Sequence, residues 1–198
     1  MAFLLRKIII LIIILPAALC ARENHFSLGL EAFNQFTGKA QVDNEGTLNW
    51  IRPTLFIASE YFININKEKN FSLHPNISFS IPRGDGDKNT HAMSIVGTFA
   101  AGWTLGNFLL QVGLGLEFNL VWGGGGTELL NNGNSYDEFW LPSRLRTSRS
   151  LLINFSGDWF FVYNWALRIG GFVYNLDSYH KRSVSYLIGV HYHFGAEK

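Results

Sequence analysis

Cysteine occurs once in the 198 residues, charged side chains make up only 16% of them, and acids and bases nearly cancel to a formal net charge of +1. The lone Cys20 falls in the N-terminal segment, so the remainder of the chain has no internal disulfide and no cysteine metal site. The balanced charge offers no basic excess for a nucleic-acid backbone, and nucleic acid is excluded as a partner. Helical periodicity is missing as well: no stretch repeats apolar residues at a spacing of 3.6 for long enough to make an amphipathic helix. With 47% hydrophobic residues the chain is too apolar for disorder, and its length suits one domain.

The first 21 residues, MAFLLRKIIILIIILPAALCA, stand apart. Arg6 and Lys7 precede an apolar run, then come Pro16 and the small residues Ala17 and Ala18, which is the layout of a secretory signal peptide. The run from Ile8 to Ala21 is short against the ~20 residues of a membrane helix. Cleavage is expected after Cys20 or Ala21. A lipid-anchored Cys20 would want a small residue before it, and Leu19 stands there. The expected organisation is therefore a signal peptide over 1–21 and one domain over 22–198.

That domain alternates. In FSLHPNISFSI the set Phe71, Leu73, Pro75, Ile77, Phe79 and Ile81 interleaves with Ser72, His74, Asn76, Ser78 and Ser80. In FLLQVGLGLEFNLVW every second residue from Leu110 to Trp122 is large and apolar. Comparable period-2 runs cover 25–37, 48–63, 91–104, 145–156, 159–174 and 183–194, giving eight predicted strands. Connections alternate in length. Those at 67–70, Gly106-Asn107 and Gly157-Asp158 are turn-like, whereas those after strands one, three, five and seven are long and polar, as in an up-and-down antiparallel meander. The longest, from Gly123 to about Arg144, opens with GGGG. It lacks the Gly-Lys-Ser/Thr of a phosphate-binding loop and reads as a flexible exit.

A soluble barrel and a membrane barrel share this alternation with inside and outside exchanged. Water-facing strand positions normally carry many charges. Here the second set of strand three has none, and that of strand four is Ala92, Ser94, Val96, Thr98, Ala100 and Gly102. These suit a narrow interior, so the bulky set faces outward into lipid. Aromatic residues at strand ends (Trp103, Trp122, Phe161, Tyr186) would form interfacial girdles. Unpaired backbone groups are not tolerated in hydrocarbon, so the sheet must close. The predicted class is all-β: a closed up-and-down antiparallel eight-stranded transmembrane β-barrel.

The last strand, Tyr186-x-Ile188-x-Val190-x-Tyr192-x-Phe194, resembles the terminal strand by which bacterial outer-membrane barrels are recognised for insertion. With the signal peptide and strand count, the chain resembles the small barrels of the OmpA, OmpX and OmpW type. A four-residue tail after Phe194 is the departure. The resemblance implies an outer-membrane location, short turns in the periplasm, long loops outside the cell, outer-membrane lipid and lipopolysaccharide as surroundings, and the barrel-assembly machinery as a partner during insertion. The protein is expected to be a monomer without cofactor.

Parity on the strands sends Glu31, Glu117 and Arg168 inward near mid-strand. Arg168 is expected to pair with one or both glutamates in a lumen ion-pair network, with Arg52 nearer the loops and Glu60 nearer the turns in support. Arg144, Arg146 and Arg149 enter strand six from the loop side. Their guanidinium groups suit lipopolysaccharide phosphates, and equally read as snorkelling cations. His74, His191 and His193 point inward and could ligate a metal, but they read first as hydrogen-bonded fillers, and no metal site is assigned. No catalytic residue is assigned either. His191-Tyr192-His193-Phe194 lacks the serine of the lipid A deacylase family, and Asp177, Ser178 and His180 lie too close in sequence for a triad.

The expected role is envelope integrity or surface contact through the loops. The alternatives are a lipid-modifying enzyme, acyl hydrolase or transferase, and a narrow pore. Replacing Tyr192 and Phe194 together by Ala should lower assembled barrel several-fold at unchanged synthesis. The heat-modifiable band on gels reads this out, and equal assembly would place the insertion signal elsewhere.

Overall fold

A computed structural model describes residues 25–36, 54–66, 70–84, 90–131, 136–177 and 182–195. The signal segment, Arg52 and the 48–53 part of predicted strand two lie outside these residues. Among them run eleven strands: β1 His25–Phe36, β2 Thr54–Asn64, β3 Phe71–Ser80, β4 Arg83–Gly84, β5 Thr90–Leu105, β6 Phe108–Gly123, β7 Thr127–Asn131, β8 Tyr136–Trp140, β9 Arg146–Val162, β10 Trp165–Tyr174 and β11 Ser183–Phe194. Nine of them form one antiparallel sheet in the order β3-β2-β1-β11-β10-β9-β6-β5-β4, and the pairing of β3 with β5 closes all but the two-residue β4 into an eight-stranded barrel. The barrel is up-and-down, since β1 pairs with both β2 and the final strand β11.

Stagger sets the dimensions. Paired residues followed once round the barrel from Phe26 through β2, β3, Phe99, Leu114, Ile153, Val173 and Val184 return to β1 at Phe36, ten residues further on. With ~3.3 Å rise per residue and ~4.8 Å between strands, that stagger tilts the strands about 40° and sets the backbone wall about 8 Å from the axis. Side chains can fill such a lumen.

Parity divides the residues as the alternation anticipates. Leu30, Phe99, Leu114 and Ile169 are each more than half exposed, and Leu110, Val112, Leu116 and Phe155 continue the same outward surface. Ser72, His74, Ser78, Ser94, Val96 and Ala100 are buried inside. A predominantly apolar exterior of this kind needs hydrocarbon as its solvent. Toward the turn end it becomes aromatic: Phe26 stacks on Phe194 at 4.7 Å, and Tyr192 meets both Phe194 and Trp165 edge-on. Asparagine closes each turn onto the next strand. The carbonyls of Asn70, Asn107 and Asn164 accept from the backbone N–H groups of Thr104, Phe160 and His193 at 2.8, 2.9 and 2.8 Å.

Two expectations need correction. The turn expected at Gly157-Asp158 lies instead at Tyr163-Asn164, because β9 runs on to Val162. Gly157 faces outward between Leu110 and Ile169, while Asp158 points inward directly opposite Arg168, which supplies the counter-charge that a mid-strand aspartate needs. The glycine run after β6 is an ordered bend rather than a loose exit. Gly125 and Gly126 take positive φ of 73° and 102°, and two backbone bonds, Gly125 to Pro142 and Leu141 to Gly126, launch a second two-stranded ribbon, β7–β8.

Inward glycines make room for large neighbours. Gly29 is paired with His191, and a Cβ there would sit 2.5 Å from the imidazole. Gly189 stands between Glu31 on one side and Arg168 on the other, and its Cβ would meet Glu31 Cγ at 2.8 Å. Overpacking of this kind costs roughly 1–3 kcal/mol. Gly29→Ala should therefore lower the urea midpoint of the refolded barrel, whereas an outward change at Gly97, where a Cβ meets nothing, should leave it unmoved.

Candidate functional site

The lumen is filled in three layers. At the turn end His25, Phe62, Phe160 and His193 form an aromatic floor, with His193 centred 4.9 Å from Phe62 and 4.8 Å from Phe160. Above it lies a polar layer. Toward the loops Phe33, Phe56, Val96, Leu152, Phe172, Tyr174 and Leu187 join from six strands into an apolar cap.

Arg168 centres the polar layer. Its Nε and Nη2 donate to the two oxygens of Asp158, each at 2.6 Å, Nη2 also donates to Glu60, and Nη1 reaches Glu31 at 3.5 Å. All four side chains are buried. The forked Asp158 contact arises because the two residues are paired across β9 and β10, so both chains leave the same row of the sheet. Glu60 and Glu31 gain a second set of partners. His191 Nε2 lies 2.9 Å from Glu31, and His74 Nδ1 lies 2.9 Å from Glu60. The second nitrogen of each ring meets a serine hydroxyl, Ser27 at 3.4 Å for His191 and Ser72 at 2.7 Å for His74. Gln111 donates to Glu60 at 2.9 Å and receives Ser156 at 3.2 Å, and Ser78 donates to Glu31 at 3.4 Å. Nearly every strand thus contributes to one hydrogen-bonded unit, which is what a buried charge cluster needs to offset its desolvation.

Of the residues expected inside, Arg168, Glu31 and Glu60 meet here. Glu60 touches Arg168 directly rather than in a supporting position. Glu117 does not join them. It is buried at the level of the apolar cap with Asn119 and Ser94 for polar neighbours. Mid-strand positions on different strands of a sheared barrel are not at one height: Asp158, opposite Arg168, is paired with Leu109, eight residues along β6 from Glu117. Asp158 is the member that sequence reasoning missed. The signal was available, since the inward parity of Ser150, Leu152, Asn154 and Ser156 continues through it.

Ser72, His74 and Glu60 follow the atom order of a hydrolytic triad, hydroxyl to Nε2 and Nδ1 to carboxylate. Ser72 is only 3% exposed and faces a filled interior, so the arrangement braces His74 rather than presenting a nucleophile. Among the described residues no three His, Cys, Asp or Glu side chains are grouped to hold a metal. Asp177 is exposed at the loop end, and Ser178 and His180 lie outside the described residues.

Elsewhere Arg144, Arg146 and Arg149 are exposed at the loop end, Arg149 opposite Phe118 with its side on the outward face. Tyr186, Ile188, Val190, Tyr192 and Phe194 share the outward face of β11.

Removing Arg168 would strand three buried carboxylates. Breaking a buried pair in this way costs ~3–5 kcal/mol, so Arg168→Ala should unfold at markedly lower urea than wild type, and Arg168→Lys, which keeps charge but not the fork, should fall between.

No family model matches the chain, and no curated protein matches it. Solved structures do. Ail, the attachment invasion locus protein of Yersinia pestis, is 12% identical over 86% of this chain and 97% of its own, with a TM-score of 0.50. Neisserial surface protein A is 13% identical over 86% and 97%, with a TM-score of 0.46, and OprG of Pseudomonas aeruginosa 11% over 87% and 96%, with a TM-score of 0.48. The likeness is one of fold: a small eight-stranded outer-membrane barrel.

Proposed function

We propose that the protein resides in the bacterial outer membrane as a plugged, non-conducting barrel and serves the envelope through its extracellular loops, in surface contact or membrane integrity. One observation carries this reading. The lumen is occupied at three successive levels, by the aromatic floor, the Arg168 cluster and the apolar cap, which leaves the wall for lipid and the loop end for partners. That end holds the β7–β8 ribbon, with Leu129 two-thirds exposed, and the arginines Arg144, Arg146 and Arg149. Guanidinium groups at the headgroup level suit the phosphates of lipopolysaccharide. The outward face of β11, from Tyr186 to Phe194, is the segment we assign to recognition by the assembly machinery, and the barrel acts as a monomer.

Planar-bilayer recording tests the plug. Wild type should pass almost no steady current, and so should Arg168→Ala while the floor and the cap stay in place, whereas a stable ohmic current in wild type would favour the narrow pore. In the same preparation, replacing Arg144, Arg146 and Arg149 by Gln should weaken retention of lipopolysaccharide on native gels. A change in lipopolysaccharide acylation produced by the pure protein would favour the enzyme instead.

A further inference from the structure

Three imidazoles are fully buried in the described lumen, and they are not alike. His191 is hydrogen-bonded to a carboxylate and a serine hydroxyl, and His74 is hydrogen-bonded to Ser72 with the Glu60 carboxylate at ion-pair distance from its other nitrogen. His193, also with no exposed surface, has no hydrogen-bond partner on either Nδ1 or Nε2. A neutral imidazole carries one N–H and one lone pair, and burying both without partners forfeits hydrogen bonds that water would have made. Such a group calls for something the protein chain does not itself provide.

The surroundings narrow the choice. Phe62 and Phe160 pack against the His193 ring and offer no polar atom, while His25, at the turn-end rim and only half-buried, lies 5.6 Å away between ring centres with the planes inclined at 48°. With metal–nitrogen bonds of ~2.0–2.1 Å, a cation sits about 3.2 Å from each ring centre, and two imidazoles sharing it at tetrahedral to trigonal angles stand about 5.2–5.6 Å apart. The observed separation falls at the end of that interval. Imidazole suits borderline divalent cations rather than Mg2+ or Ca2+.

We propose that the turn end of the barrel binds one divalent transition-metal cation of the Zn2+, Cu2+ or Ni2+ class between the imidazoles of His25 and His193. The half-buried His25 gives the cation its way in from solvent at that end, and water completes the coordination. A cation there would fix β1 to β11, the two strands whose pairing closes the barrel between its first and last segments.

The test uses the folded full chain in detergent, without an affinity tag, titrated with Zn2+ by calorimetry and with Cu2+ by electron paramagnetic resonance. Wild type should bind one equivalent, with a Cu2+ spectrum carrying two nitrogen couplings. His25→Ala and His193→Phe should each raise Kd at least tenfold and remove one coupling. The Phe variant keeps the cage filled, and if it does not fold, His25→Ala at the rim decides alone. His91→Ala, at the far end of β5 and exposed, should change nothing. No binding by wild type, or binding that survives both substitutions, overturns the proposal and leaves His193 as an aromatic filler of the barrel floor.

Discussion

Hydrocarbon cannot hydrogen-bond to a backbone, so a sheet placed in it must satisfy every N–H and C=O from within. That requirement governs the rest of the molecule. It forces β3 onto β5, and closure of eight strands is possible only at particular staggers, of which ten residues is the one adopted. The stagger in turn sets the tilt, the tilt sets the bore, and the bore decides that side chains, not water, occupy the axis. The outward set then has a single job, to be apolar, which is why Leu, Ile, Val and Phe interchange there without visible pattern.

Inside, the constraint reverses. A narrow lumen places Arg168 within reach of carboxylates from three other strands, and once one charge is buried the others join it, because each needs a partner that water no longer provides. Histidine and serine finish the task at the margins of the layer, where Glu31 and Glu60 have oxygens to spare. Above and below, rings and aliphatic side chains seal the layer from solvent. The sealed cluster ties β10 to β1 and β2, and β6 to β2, strands that do not pair with each other in the wall, so the barrel resists flattening as well as opening.

Much of this was legible from period-2 alternation, which is a local property: the side chain of Ser78 or Leu114 must go to one face or the other whatever the rest of the chain does. The face assignment, the strand count and most strand ends derive from it. The turn misplaced at Gly157-Asp158 shows the limit. Glycine followed by aspartate is good turn chemistry, and only the guanidinium opposite, ten residues later in sequence, makes Asp158 a strand residue. Height in the barrel is not local at all. Glu117 and Arg168 are both mid-strand and both inward, yet the accumulated stagger of the strands between them puts an apolar layer at Glu117's level and the ion cluster nearer the turns. No reading of one strand at a time recovers that sum. His193 is a further case, since its parity is plain but its lack of partners depends on Phe62 and Phe160 from other strands.

The glycines opposite the lumen rings carry a consequence for how such an interior can change. Gly29 and His191, or Gly189 and Glu31, together occupy one allotment of space, large against none. Enlarging either member alone collides, and shrinking the larger alone leaves a hole beside a charge. Variation inside the wall must therefore proceed in complementary couples, two codons at a time, while the lipid face drifts one residue at a time. Two chains of this architecture can then share a wall and differ wholly in filling, each filling being a separate solution of the same volume equation.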